Sequence, residues 1–125
     1  MSDPRYVPRD LCGKPGAFGL EHDLPWPDAE DDHQFDLIAA SRLQHYYCYL
    51  IRTQLAQQGI TVVTYARLCG QSYERTAAML RGAAVMRFDD VARAERILRQ
   101  IASNDALWGT FDDWGGWELP DHLRP

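Results

Sequence analysis

TVVTYARLCGQSYERTAAMLRG, residues 61–82, decides how this chain folds. Thr61 is a good helix N-cap, because its hydroxyl can accept a hydrogen bond from a first-turn amide. Gly70 tolerates the positive φ on which helices end, so one short helix is predicted from Thr61 through Cys69. Ser72 caps a second helix, YERTAAMLR, which Gly82 closes. The TVVTY start favours strand on propensity, since β-branched side chains lose rotamer freedom in a helix. The segment after Ser72 has no strand alternation, however, and packing overrides propensity in short helices. Two helices joined by a tight turn need a small residue where they cross and a positive-φ residue in the turn. Ala66 and Gly70 supply these, while Tyr65, Cys69, Met79 and Leu80 are spaced to pack between the helices.

Upstream, nothing breaks a helix from Gln34 to Gln58, and Gly59 stands where a left-handed cap belongs. Leu43, Tyr46, Leu50 and Leu55 form an apolar stripe at helical period. The HYYCYLI run, residues 45–51, is apolar or aromatic on nearly every side, so one core cannot cover Tyr46, Tyr47 and Tyr49 together. The N-terminal segment, the C-terminal one or a second subunit must cover the rest. Downstream, Asp89 or Asp90 opens a further helix with Val91, Ala94, Ile97, Leu98 and Ile101 on one face. Its early acids and later Arg93, Arg96 and Arg99 suit the helix dipole. Residues 1–33 hold Pro4, Pro8, Pro15, Pro25 and Pro27 with three glycines, and resist regular structure. Phe18, Leu20, Leu24 and Trp26 let this extended arm pack in part. Trp108, Phe111, Trp114 and Trp117 mark an aromatic acidic tail, either a lid on the long helix or a partner surface. The expected architecture is all-α: an arm (1–33), a compact domain of four to five helices (34–102) and the tail (103–125).

The 125 residues fit one domain of ordinary globular composition. No apolar run approaches the ~20 residues of a membrane span, and the N-terminus has no signal-peptide core. A cytoplasmic location with no membrane association is expected. The net charge of −5 argues at first against nucleic acid. Residues 1–41 sum to −6 and residues 103–125 to −4, whereas residues 42–102 sum to +5. Phosphate binding depends on such local charge, although a basic centre is as readily a solvated helical surface. Cys12, Cys48 and Cys69 are irregularly spaced, and Cys12, His22 and His33 match no structural zinc pattern. No metal or cofactor is expected. His45, Cys48 and an acid are a conceivable acyl-transfer set, but a core cysteine on an aromatic helix is the simpler reading, and no enzyme is expected.

The CGQSYERTAAMLRG stretch, residues 69–82, resembles the helix-turn-helix of the phage-repressor-like (Xre/Cro-type) family of bacterial transcriptional regulators. Ala66, Gly70, Ser72, Leu80 and Gly82 carry the resemblance, which runs from Gln54 to about Leu98. Gln71 and Thr76 stand where the family usually has aliphatic residues, and Ala78 where it often has a polar one. The resemblance implies a sequence-specific DNA-binding protein, a repressor and a homodimer, whose third helix enters the major groove. By position, Ser72, Tyr73, Glu74, Ala77, Ala78 and Arg81 face the duplex. Glu74 would accept from cytosine N4 and the alanines would meet thymine methyls. Arg67, Arg75, Arg81 and Arg87 are phosphate candidates, each of which reads equally well as a solvated charge. The competing implication is the same fold used as a protein-binding adaptor or inhibitor.

Overall fold

The computed structural model describes residues 6–99 and 101, and among these it contains helices and no strand. Four α-helices follow one another: α1 (Asp32–Gln58), α2 (Val62–Cys69), α3 (Tyr73–Leu80) and α4 (Phe88–Leu98). Two 3-10 turns, Pro8–Leu11 and Pro15–Ala17, precede them. None of these helices is long and apolar enough to cross a membrane.

Each boundary has a local chemical cause. Asp31 caps α1 by accepting from the Gln34 amide at 2.7 Å, and the Gln34 side chain reaches back to the Glu30 amide. This pair starts α1 two residues before the expected Gln34. Gly59, at φ 67°, closes it. Thr61 accepts from the Thr64 amide and Ser72 from the Arg75 amide, which begins α2 and α3. Each such cap contributes about 1 kcal/mol. Gly70 ends α2 at φ 69°. After the capping Thr61, the β-branched Val62–Thr64 start is helical. α4 opens one residue before Asp89, because the Asp90 carboxylate turns back to accept from the Arg87 amide at 2.8 Å.

α1 is the spine, with α3, α4 and the first 3-10 turn packed along it, while α2 packs on α3 and α4. The core joins Phe18, Ile51, Leu55, Tyr65, Met79, Leu80, Ala94, Leu98 and Ile101. Of the expected α1 stripe only Tyr46 and Leu55 are buried; Leu43 and Leu50 are half-buried. The inward face is instead Ser41, Gln44, His45, Cys48, Ile51 and Leu55, three of them polar. Burying polar groups is tolerable only when they are hydrogen-bonded, and these are. Ser41 donates to the Pro8 carbonyl. Gln44 donates to the Met79 and Ala84 carbonyls and accepts from the Met86 amide.

His45 has no solvent exposure. Its Nδ1 accepts from the Gly19 amide at 2.9 Å, so the proton sits on Nε2, which faces the His22 carbonyl at 3.0 Å. Burial pushes its pKa below the usual histidine value, outweighing the His22 carbonyl. The residues before α1 pack more deeply than an extended arm would. Phe18 is fully buried and meets the His45 ring edge-on, and His22 covers Tyr46 and Tyr49. The tyrosine band thus finds part of its cover on the N-terminal side. The aromatic stretch from Trp108 to Trp117 lies outside the described residues.

Candidate nucleic-acid interface

α3 is eight residues long and two-faced. Thr76, Ala77, Met79 and Leu80 are buried, whereas Tyr73, Glu74 and Arg81 are exposed and Ala78 is half-buried. Glu74, Ala78 and Arg81 follow i, i+4, i+7 spacing and share one outward stripe. Ser72 stands exposed at the head of the helix as its cap. Ala77 stands three residues from Glu74 and four from Arg81, at the edge of that stripe, but is only 7% exposed, so its methyl is withdrawn from the groove-facing set. One step of helical rotation separates it from Ala78, and that phase depends on tertiary packing.

Two residues that depart from the resembled family are explained by polar contacts. The Thr76 hydroxyl, buried where an aliphatic side chain is usual, donates to the Ser72 carbonyl. Gln71 accepts from the Arg75 guanidinium at 2.8 Å.

That guanidinium is the centre of a second finding. Its two terminal nitrogens each donate to one oxygen of Asp90, both at 3.0 Å, a bidentate pair joining α3 to α4. Asp90 also accepts from the Arg87 amide and from Arg93. Burial alone would raise the Asp90 pKa, but Arg75 and the Arg87 amide hold the carboxyl below the ordinary aspartate value. Arg75 in turn is raised above the usual arginine value, first through its hydrogen bond to Asp90. Arg75 is thus a strut, and its placement as a phosphate contact is corrected on that ground. The pair is not readable in the sequence, because the fourteen residues between Arg75 and Asp90 leave no periodic signal; only the place of Asp90 at the start of a helix was legible.

The remaining cations sort accordingly. Arg87 is exposed and sits 3.5 Å from Asp89, and Arg93 pairs with Asp89 and Asp90. Arg67, in the last turn of α2, and Arg81, after α3, are exposed and form no ion pair among the described residues. Of the cations on α2, on α3 and at its end, Arg67 and Arg81 are therefore the two without an ion pair among the described residues.

No family model, curated protein or solved structure matches this chain.

Among the described residues no catalytic set forms around Cys48. The thiol is fully buried, donates to the Met79 carbonyl and has its pKa pushed well up by burial, while both His45 nitrogens face backbone groups. Among the described residues no cluster of His, Cys, Asp or Glu is placed to hold a metal ion.

Proposed function

We propose that α2 and α3 are a helix-turn-helix and that this protein is a sequence-specific, double-stranded-DNA-binding transcriptional regulator, acting as a homodimeric repressor. One observation carries the reading: α3 is locked by its inner stripe while Ser72, Tyr73, Glu74 and Arg81 remain in solvent. A helix of this kind, propped by its predecessor, presents its N-terminal residues to base edges in the major groove. Glu74 is the side chain suited to a base, as an acceptor from cytosine N4. Arg67 and Arg81 are suited to phosphates, and Tyr73 to the sugar-phosphate edge.

Titration of the full chain against pooled genomic duplexes at two salt concentrations tests this. Selective, strongly salt-dependent binding is expected, and Arg81→Ala and Arg67→Ala should each lower the slope of log K against log salt by about 0.9. Arg75→Ala should leave that slope in place, because its charge is already matched by Asp90. No binding at low salt, or a slope unchanged by the first two substitutions, overturns the assignment.

A second reading, the same fold serving as a protein-binding adaptor or inhibitor, draws on exposed apolar side chains. Val63 and Leu68 on α2 are each 51% exposed, with Tyr73 beside the turn at 49%. Its signature is a complex with protein that survives raised salt.

A further inference from the structure

Phe88, the first residue of α4, is 95% exposed. A bare phenyl ring at a helix start has no local reason to be there, and covering it gains about 1.5–3 kcal/mol of apolar burial. It lines a trough of about 220 Å³ with Leu43, Tyr47, Met86 and Val91, and Tyr6 and Arg87 line the same trough. Those last two side chains also line a second hollow of about 360 Å³, together with Val7, Arg75 and Ala83–Val85. An apolar trough and a cationic hollow thus meet at Tyr6 and Arg87.

The charges around the junction favour an anion there. Arg75 and Arg87 line the second hollow, and the ion-pair network they belong to sets Arg75, Arg87 and Arg93 against Asp89 and Asp90, a sum of +1. Both terminal nitrogens of Arg75 are taken by Asp90. The nearest approach of Arg87 to the acids is through Nε, 3.5 Å from Asp89 and 4.0 Å from Asp90, and its side chain is 54% exposed. It is therefore the guanidinium with donors to offer. The positive end of the α4 dipole lies at the same place. A bare inorganic anion would meet Asp89 and Asp90 with little to offset them; a ligand that also covers Phe88 gains from both halves.

We propose that this cleft binds a small amphipathic organic acid, its apolar body in the trough against Met86, Phe88 and Val91 and its carboxylate on Arg87. The combined hollows are of the size that small-molecule sites occupy. The proposal does not rest on DNA binding and stands or falls separately from it.

Calorimetric titration of the full chain with octanoate, 1-octanol and inorganic phosphate tests it. Octanoate should bind one to one and about tenfold more tightly than 1-octanol, the factor a single charge-assisted hydrogen bond supplies, with phosphate alone silent. Arg87→Gln should erase the preference for octanoate over 1-octanol, and Phe88→Ala should weaken both. Both positions are exposed, and unchanged circular dichroism checks that the variants fold. Absence of octanoate binding at millimolar concentration, equal affinity for octanoate and 1-octanol in the native chain, phosphate binding as well as octanoate, or octanoate binding unaltered in both variants overturns the proposal.

Discussion

Removing Arg75 should cost more stability than neutralising Asp90, and the asymmetry follows from who is buried. The Asp90 side chain is 2% exposed, whereas that of Arg75 keeps 31%. Arg75→Ala strips the carboxylate of its bidentate partner and leaves a negative charge that water cannot reach. Breaking a fully buried pair in this way costs about 3–5 kcal/mol. Arg93 and the Arg87 amide remain on Asp90, so the expected loss is smaller, about 2–3 kcal/mol. Asp90→Asn leaves a guanidinium that can turn to solvent, and an amide oxygen that can still accept from the Arg87 amide. That change should cost about 1–2 kcal/mol. Urea unfolding followed by circular dichroism at neutral pH reads both values. The pH dependence supplies a second check. The folded-state pKa of Asp90 is depressed, so its contribution is complete above the ordinary carboxylate range and fades as pH falls through the folded value. Arg75→Ala should flatten that acid-side loss. A cost under about 0.5 kcal/mol for Arg75→Ala, the range of an ordinary surface substitution, refutes the strut argument; so does Asp90→Asn proving the costlier change.

Two glycines separate backbone strain from crowding. Gly70 and Gly82 both have positive φ, 69° and 76°, but a Cβ at Gly70 meets open space while one at Gly82 would lie 2.6 Å from the Phe18 ring. Gly70→Ala should cost about 1–2 kcal/mol and Gly82→Ala about 3 kcal/mol or more, read as urea midpoints; equal costs would show that Phe18 yields freely. His45 titrates in a direction that destabilises: its folded pKa is lowered, so stability should be full above about pH 6.5 and decline as pH falls toward the folded value. The decline is at most about 1.4 kcal/mol per pH unit. His45→Gln, whose amide can reproduce both backbone hydrogen bonds, should remove it, and parallel curves for the two proteins would sink this account.

The parts of the fold that were legible are those whose chemistry is local. Thr61, Gly70 and Ser72 announce the ends of α2 and the start of α3 because a cap needs only a hydroxyl or a missing Cβ at one position. The inward face of α1 was not legible, since Ser41, Gln44 and His45 are buried by virtue of backbone partners 23 to 42 residues away. An apolar stripe search assigns Leu43 and Leu50 to that face instead. For the candidate site, the family pattern and its register, carried over by position, named the exposed Tyr73, Glu74 and Arg81. They missed the rotation that sinks Ala77, and the ion pair that takes Arg75 out of circulation. Both depend on how α3 seats against α1 and α4, which no short-range pattern encodes.

The Gln44 carboxamide has a consequence beyond filling the interior. It serves three main-chain groups at once, the carbonyls of Met79 and Ala84 and the amide of Met86, all at 2.8–3.0 Å. The coil between α3 and α4 thereby borrows from a side chain the ladder it cannot make for itself. Glutamate, the same shape with two acceptor oxygens, would confront both carbonyls with lone pairs; leucine would leave the Ala84 carbonyl and the Met86 amide without this partner, while the Met79 carbonyl would keep the Gly82 amide and the Cys48 thiol; asparagine falls one methylene short. Of these four residues only glutamine meets all three groups, and the Met86 proton, although it sits in a loop, should exchange with solvent as slowly as one inside a helix.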